Sequence, residues 1–206
     1  TCSETSALTA DPKLRILSAQ EGAAGLMAVW ARENTRKDIF DAMLRKEVYA
    51  TTGTRMRVRV FAGWGFRPED LHASDFARVG YGKGVPMGGD LRKPPAGQAP
   101  SFLIRAMRDP DGANLDRVQV IKGWLDASGE THERVYDVAC AGGQAPDAKT
   151  HRCALESAPP DLTSCKVAEG RGQSQLSAAF SAPDYQSGER SFYYARVLQV
   201  PTCRWS

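Results

Sequence analysis

The stretch SFLIRAMRDPDGANLDRVQVIKGWLDASGETHERVYDVA, residues 101–139, contains three apolar-rich runs, most of them with alternating apolar and polar residues. Alternation with a period of two places one set of side chains on each face of a β-strand. The runs SFLIRAMR, DRVQVIKGWL and ERVYDVA are therefore predicted strands. DPDG and DASGE lie between them, and their Asp, Pro and Gly residues favour reversal of the chain. Consecutive antiparallel strands are the expected result.

Similar runs lie on both sides of this stretch. SQLSAAFS and SFYYARVLQV follow it at residues 174–181 and 191–200, and RMRVRVF precedes it at residues 55–61. In RMRVRVF the arginines alternate with apolar residues, so they are predicted to share one solvated or ion-paired sheet face. Several short strands separated by turn sequences are typical of an antiparallel sandwich. We therefore predict an α+β fold that is mainly antiparallel β.

The residues before RMRVRVF predict a helix. Thr35 is followed three residues later by Asp38, which resembles a capping box, and apolar residues then recur at helical spacing. We predict a helix from about Arg36 to Lys46, with a basic pair in its last turn, where cations favour the helix dipole. An apolar cluster at residues 23–31 is of ambiguous type.

The region between the predicted helix and the strands after Pro100 contains weaker signals. Two short helical candidates lie near Pro68–His72 and Ser74–Val79. Residues 80–100 are rich in Gly and Pro, which predicts a long loop that is either functional or a linker. Lys83 lies among glycines, but the pattern G-x-x-x-x-G-K-S/T is absent from the sequence, so a nucleotide loop is not predicted.

Composition excludes several classes of protein. The 206 residues include 27 basic and 24 acidic ones, a net charge of +3, and no block of like charges. Nucleic-acid binding therefore has no electrostatic support. No apolar run approaches the ~18 residues of a membrane span. The sequence opens Thr-Cys and its first methionine is Met27, so we expect it to be a processed or excised piece of a longer chain.

The cysteines bear on the redox compartment. Cys140, Cys153, Cys165 and Cys203 lie in the last third of the chain, without a Cys-x-x-Cys pair or a His at zinc spacing. They are either disulfides or reduced buried thiols. Loop geometry favours Cys140 to Cys153 and Cys165 to Cys203 among the three possible connectivities. Bridges of this kind predict an oxidising location, periplasmic or secreted, and they leave Cys2 over.

A search for chemistry finds no self-contained active site. The three histidines are far apart in sequence, and no Gly-x-Ser-x-Gly elbow occurs. The stretch DPDGANLD offers weak calcium candidates, because oxygen ligands suit that ion. These candidates are Asp109, Asp111, Asn114 and Asp116. A β-turn explains the same residues equally well.

Four separate motifs carry a resemblance to a known family. VWARENTRKDIFDAMLRKEVYATTGTRMRVRVFAGWGF, YGKGVPMGGDL, FLIRAMRDPDGANLDRVQVIKGWLD and FYYARVLQVPTCRWS resemble the C-terminal portion of the bacterial domain-of-unknown-function family 3604, in collinear order from about Gly25 to Ser206. Members of that family are longer, are often exported, and resemble metallohydrolases of the polymerase-and-histidinol-phosphatase (PHP) type. The family's metal motifs precede the matched segment, so the resemblance implies no cofactor in this chain but a divalent metal cluster in the intact protein.

The resemblance also implies a division of the chain. Residues 1–54 would be the end of an α/β barrel, with its last helix at about 36–46, and residues 55–206 a β-rich sandwich with a long loop at 80–100. Thr51, Thr52 and Arg55 would lie nearest a substrate, since hydroxyls and a guanidinium suit an anionic oxyester. The partner would be the rest of the barrel. Exposed apolar side chains are then expected at Leu26, Met27, Trp30, Ile39 and Phe40.

Two functions from different classes follow. The first is the C-terminal, non-catalytic piece of an exported protein that resembles metal-dependent ester or phosphoester hydrolases. The second is a glycan- or protein-binding β-sandwich with a scaffolding role and no enzymatic one.

Overall fold

The computed structural model describes residues 25–92, 94–154, 163 and 170–202. The strands in these ranges are β1 (Leu26–Val29), β2 (Val48–Thr51), β3 (Arg57–Gly63), β4 (Gly84–Pro86), β5 (Ser101–Met107), β6 (Leu115–Leu125), β7 (Thr131–Cys140), β8 (Gln175–Ser181) and β9 (Arg190–Gln199). The helices are α1 (Arg36–Leu44) and α2 (Phe76–Lys83), with 3₁₀ segments at Pro68–His72 and Ala141–Gly143. All five strands predicted after Pro100 are present, as is the strand predicted near residues 55–61.

The described strands form three antiparallel sheets. β1 pairs with β2, a four-stranded sheet has the order β4-β3-β5-β8, and a three-stranded sheet has the order β7-β6-β9. Side chains that alternate inward from the two larger sheets meet in one apolar core. Ile104 of the four-stranded sheet and Leu115 and Val118 of the three-stranded sheet are fully buried there. The predicted α+β fold, mainly antiparallel β, is confirmed, while its origin at a barrel end stays a prediction.

The outer face of the four-stranded sheet carries a second, smaller core. Phe61 and Leu103 are fully buried and pack with Phe76 of α2 and with Leu71 of the 3₁₀ segment. Gly80 makes this contact possible, because a Cβ atom there would lie 2.4 Å from the Phe61 ring. One face of this sheet therefore packs on the other sheet, and the opposite face packs on α2.

The arginine row lies on this outer face, as its alternation predicts. Arg57 is exposed, whereas the Arg59 guanidinium is mostly buried and lies 3.6 Å from Oε2 of Glu47. Arg59 also donates a hydrogen bond of 2.6 Å to the Tyr81 hydroxyl and stacks 4.3 Å from the centre of the Trp30 ring. This face of β3 is thus solvated at Arg57 and ion-paired at Arg59.

The N-terminal part of the described chain is a short two-stranded sheet with α1. Thr35 caps α1 by accepting a hydrogen bond of 3.2 Å from the Asp38 amide. The helix ends at Leu44 rather than Lys46, since Lys46 has a left-handed φ of 60°. The ambiguous cluster at residues 23–31 contains strand β1. Among the described helices, none has both the length and the apolar character needed to cross a bilayer.

Three of the five apolar side chains predicted to be exposed in this N-terminal part are exposed, and two are partly buried. Leu26, Met27 and Phe40 are exposed, and Ile39 is partly buried. Trp30 is also partly buried, and its Nε1 donates a hydrogen bond of 2.9 Å to the Val58 carbonyl oxygen. Covering of this surface by a barrel stays a prediction.

Only part of the Gly- and Pro-rich stretch at residues 80–100 is a loop, although its composition predicts a loop throughout. Its first residues complete α2, which ends at Lys83, and form β4 at Gly84–Pro86. Tertiary contacts override the local preference of glycine here, because Gly80 packs against Phe61 and β4 pairs with β3. The irregular segment begins only after β4.

The predicted bridge between Cys140 and Cys153 is present, with a Cα–Cα distance of 5.6 Å. It joins the end of β7 to the segment that follows the 3₁₀ turn, and both cysteines are buried. The predicted bridge between Cys165 and Cys203, and the leftover Cys2, lie outside the described residues.

Removing the observed bridge is expected to destabilise the protein measurably. Changing Cys140→Ala and Cys153→Ala together releases a loop of 13 residues, which should lower the free energy of unfolding by about 2–3 kcal/mol. Urea unfolding of the non-reduced protein measures this loss. Cys140→Ala alone serves as control and should lose about as much as the double change. An unchanged urea midpoint would contradict the prediction.

Candidate functional site

A cavity of about 530 Å³ lies between the two larger sheets. β3 and the segment after β4 line one side, and β9 lines the other. Apolar side chains from both sheets form its walls, namely Met56, Val58, Val60, Ala62, Phe102, Ile104, Val120, Ala195 and Val197. The same alternation that builds the core therefore also builds this cavity, where the sheets leave space between their edge strands.

The rim of the cavity is polar and comes from β2 and the residues on either side of it. Tyr49, Thr51, Thr52 and Lys46 all belong to the lining there. Thr51 Oγ1 donates a hydrogen bond of 2.5 Å to the Thr54 carbonyl oxygen, and the Tyr49 hydroxyl donates one of 3.1 Å to the Met56 carbonyl oxygen. These bonds hold the rim in one conformation.

The charges around the cavity are positive. Lys46 and Arg196 belong to its described lining and no Asp or Glu does, but the Arg196 side chain lies on the outer face of β9, so Lys46 is the lining cation on the cavity side. Arg196 Nε donates to Oε1 of Gln119 at 2.8 Å, whereas Lys46 forms no ion pair with the described residues. Gly88 allows the approach of Lys46, because its φ is 79° and a Cβ atom there would lie 2.3 Å from the Lys46 carbonyl oxygen. The arrangement suits an apolar ligand with an anionic head.

The structure brings two of the three predicted substrate-proximal residues together. Thr51 and Thr52 both line the rim. Arg55 is not part of the cavity lining, and its backbone amide instead donates a hydrogen bond of 2.7 Å to Oδ2 of Asp109. A role for these residues next to a substrate stays a prediction. Sequence reasoning missed Lys46 as a rim residue, because it appeared there only as a helix-terminal cation.

The first calcium candidate uses both carboxylate oxygens within the protein. Asp109 Oδ2 accepts from the Arg55 amide and Oδ1 accepts from the Asp111 amide at 3.0 Å. Both hydrogen bonds lower the pKa of Asp109 below its ordinary value, and the bond from the Arg55 amide has the larger effect. Asp109 thus connects the segment before β3 to the β5–β6 turn.

The remaining calcium candidates also have partners in the protein. Asn114 Nδ2 donates a hydrogen bond of 2.9 Å to the Arg171 carbonyl oxygen, and Asp116 pairs with the guanidinium of Arg117. In the part of the chain that the structure describes, no three His, Cys, Asp or Glu side chains lie close enough to hold a metal ion. Calcium binding at this turn stays a prediction.

Asp109 should contribute stability that depends on pH. Asp109→Asn is expected to lower the free energy of unfolding at pH 7 by about 1.5–3 kcal/mol, because a charged acceptor is lost. Since the folded pKa is depressed, this contribution is complete above the unfolded pKa, about 4, and disappears as pH falls through the folded pKa. Urea unfolding from pH 7 down to pH 2 should show the two proteins converging. A difference that is constant over this range would contradict the assignment.

A second, more open cavity of about 720 Å³ lies on the outer face of the four-stranded sheet, beside α2. Its arginines mainly hold the structure together. Arg105 Nη2 donates to the carbonyl oxygens of Leu71 and of Ala73, the latter at 3.3 Å, and the guanidinium stacks 4.2 Å from the centre of the Phe76 ring. Arg105 is therefore engaged within the protein, whereas Arg57 in the same groove is exposed.

Comparison with known proteins places the chain in a family. The family model described as "Protein of unknown function (DUF3604)" matches residues 3–206. The chain belongs to this family. The match to DUF3604 begins at residue 3, whereas the sequence motifs that carry the resemblance begin only at about Gly25. Neither the curated proteins nor the solved structures include a match.

Proposed function

We propose that this chain is a non-catalytic module that binds an amphiphilic anion in the cavity between its two larger sheets. The observation that carries this proposal is the combination of apolar walls with a rim that holds Lys46 and hydroxyl groups and no acidic side chain among its described residues. The apolar part of the ligand lies against the walls. Its head group lies at the rim next to Lys46, beside Thr51 and Thr52.

The size and chemistry of the cavity support a ligand with one alkyl or aromatic tail. Its volume, about 530 Å³, is within the range of small-molecule sites. Burial of apolar surface supplies affinity, at about 25 cal/mol per Å², and the ammonium group of Lys46 gives preference for an anion. An alkyl phosphate or an alkyl carboxylate has both features.

The module's place in a longer protein is a further part of the proposal. We assign it the substrate-binding role in an exported, metal-dependent hydrolase of esters or phosphoesters, with the rest of a barrel as its partner. The metal cluster would activate water, and its ligands would come from outside the described residues, which hold no suitable group of three side chains. The Cys140–Cys153 bridge supports a periplasmic or secreted location.

Calorimetric titration with decyl phosphate below its micelle concentration tests the cavity. Wild-type protein should bind it, and Ala195→Phe, which places a ring in the cavity, should weaken binding at least about tenfold, a loss of about 1.4 kcal/mol. Ala179→Phe is the matched control, because Ala179 is exposed on β8 and outside the cavity. Equal binding by wild-type protein and Ala195→Phe would overturn the assignment.

The head-group preference needs a separate comparison. Lys46→Met should weaken binding of decyl phosphate about five- to tenfold and leave binding of the neutral decyl maltoside unchanged. Equal losses for both ligands would show that Lys46 acts through packing and not through its charge.

A second candidate function rests on the outer face of the three-stranded sheet. Phe192 and Tyr194 are exposed there, their rings are nearly parallel at 14°, and Phe192 lies over Gly123. Arg190 and Arg196 lie on the same face of β9. Aromatic rings beside arginines suit an acidic glycan. Affinity electrophoresis in alginate tests this, and Phe192→Ala with Tyr194→Ala should abolish any retardation.

A further inference from the structure

One inward position of β6 is occupied by a lysine. Val118 and Val120 point into the core, and Lys122 follows them at the same spacing. The Lys122 side chain is only 1% exposed. A lysine is almost never fully buried unless it is paired. Acidic partners are therefore expected next to the Lys122 amine.

Two acidic residues from the β8–β9 connection surround the Lys122 amine. Glu189 Oε1 lies 2.7 Å from Nζ, and Asp184 Oδ2 lies 3.7 Å from it. The Asp184 carbonyl oxygen accepts a hydrogen bond of 3.0 Å from the same amine. The approach of Glu189 Oε1 is too bent for a hydrogen bond. The amine, the two carboxylates and the intervening backbone thus form a compact cluster.

The cluster lies among aromatic rings and includes buried polar atoms without well-formed hydrogen bonds. Nζ of Lys122 is 4.6 Å from the centre of the Trp124 ring. Asp184 Oδ1 and the hydroxyls of Tyr136 and Tyr193 are buried and form no hydrogen bond of good geometry with the described residues. Burial raises the pKa of both phenols, and the Asp184 carboxylate lies close enough to Tyr136 to raise the pKa of its hydroxyl further. The amine and the two carboxylates are thus held in contact inside a largely apolar part of the protein.

We propose that Lys122 and Asp184 join in an intramolecular amide bond, with Glu189 as the proton carrier. Glu189 accepts a proton from the Lys122 ammonium, and the neutral amine attacks Cγ of Asp184. The Nζ–Cγ bond forms, and Glu189 returns its proton to one carboxylate oxygen. Glu189 then carries a second proton from the attacking nitrogen to the same oxygen, the bond from Cγ to that oxygen breaks, and it leaves as water. An ammonium and a carboxylate thus become an amide and one water, and no other reactant is needed.

Arg134 has a supporting place in this reaction. Its Nη1 lies 3.1 Å from Asp184 Oδ2. In this geometry Oδ2 stays bound to Arg134 as negative charge develops on it during the attack, and it becomes the amide oxygen. Asp184 Oδ1, which forms no hydrogen bond of good geometry with the described residues, is the oxygen that leaves. The product ties β6 to the connection between β8 and β9.

Mass spectrometry of the whole chain tests the proposal. After full reduction and denaturation, wild-type protein should be lighter than its sequence by the mass of one water. Fragmentation should place this loss in a branched peptide that links Lys122 to Asp184. An unmodified mass in protein that had its Cys140–Cys153 bridge before reduction would overturn the proposal. A loss located at Asp111–Gly112 would indicate a succinimide there and would overturn it as well.

Three variants separate the roles of the cluster residues. Lys122→Arg keeps the positive charge and should show the full, unmodified mass. Asp184→Asn should reach the same final mass as wild-type protein, because the amide then forms with loss of ammonia. Glu189→Gln should stay unmodified, with circular dichroism showing that it has folded. A water loss in Glu189→Gln would overturn the role given to Glu189.

Discussion

Changing Glu47→Gln is expected to lower the free energy of unfolding by about 3–5 kcal/mol, because it removes one partner of a buried ion pair. Glu47 is only 2% exposed. Its carboxylate lies 2.9 Å from Arg45 Nε and 3.6 Å from Arg59 Nη2, and it accepts a hydrogen bond from the Tyr81 hydroxyl. Glutamine has nearly the same shape, so the loss reports the missing charge and not a cavity.

The measurement is urea unfolding at neutral pH, with Glu33→Gln as the matched control. Glu33 is exposed, so its change should alter stability by less than about 0.5 kcal/mol. Changing Glu47→Gln and Arg59→Met together should recover part of the loss, because no buried charge is then left alone. A loss for Glu47→Gln as small as that for Glu33→Gln would contradict the buried pair.

This pair also connects parts of the molecule that are distant in sequence. Glu47 lies between α1 and β2, Arg59 lies in β3, and Tyr81 lies in α2. The Trp30 amide donates a hydrogen bond of 2.9 Å to the Glu47 carbonyl oxygen. The loss of Glu47 should therefore affect the N-terminal part and the four-stranded sheet in one unfolding transition.

The sequence predicts strands well wherever local alternation is long. β5, β6 and β9 span 7, 11 and 10 residues. β6 and β9 contain alternation with a period of two, and β5 is a short apolar run between turn signals, which also indicates a strand. β4 was missed, because its three residues are Gly, Val and Pro and depend on pairing with β3. α2 was predicted too short for a similar reason. Gly80 disfavours a helix locally, but it allows the helix to pack closely against the distant residue Phe61.

The candidate sites were less predictable than the strands. The cavity depends on the spacing between two sheets, which no local pattern encodes. Thr51 and Thr52 were proposed from the family resemblance, and they line its rim, but Arg55 comes after Gly53, whose φ is 121°, and lies outside the lining. Lys122 is different, because the run VQVIKGWL already places it on the inward face of its strand. That signal was available in the sequence and was overlooked.

Changing Phe61→Ala is expected to cost about 3–5 kcal/mol of unfolding free energy, since a large buried side chain leaves a cavity. Phe61 is fully buried on the outer face of the four-stranded sheet. Its ring packs edge-on against Phe76 at 5.5 Å and Tyr81 at 5.1 Å between ring centres, and Gly80 lies directly over it. These three contacts hold α2 on the sheet, so the helix should lose its packing together with the ring.

Phe40→Ala provides the matched control, because Phe40 is 58% exposed on α1 and should cost less than about 1 kcal/mol. Urea unfolding gives both values, and the near-ultraviolet circular dichroism of the aromatic cluster should decrease only for Phe61→Ala. Phe61→Leu should fall between wild-type protein and Phe61→Ala, since it fills part of the cavity. If Phe61→Ala and Phe40→Ala were equally mild, α2 would not be held on the sheet by this ring. The outer face of the four-stranded sheet would then not be a second core, and the Glu47 cluster alone would join α2 to the sandwich.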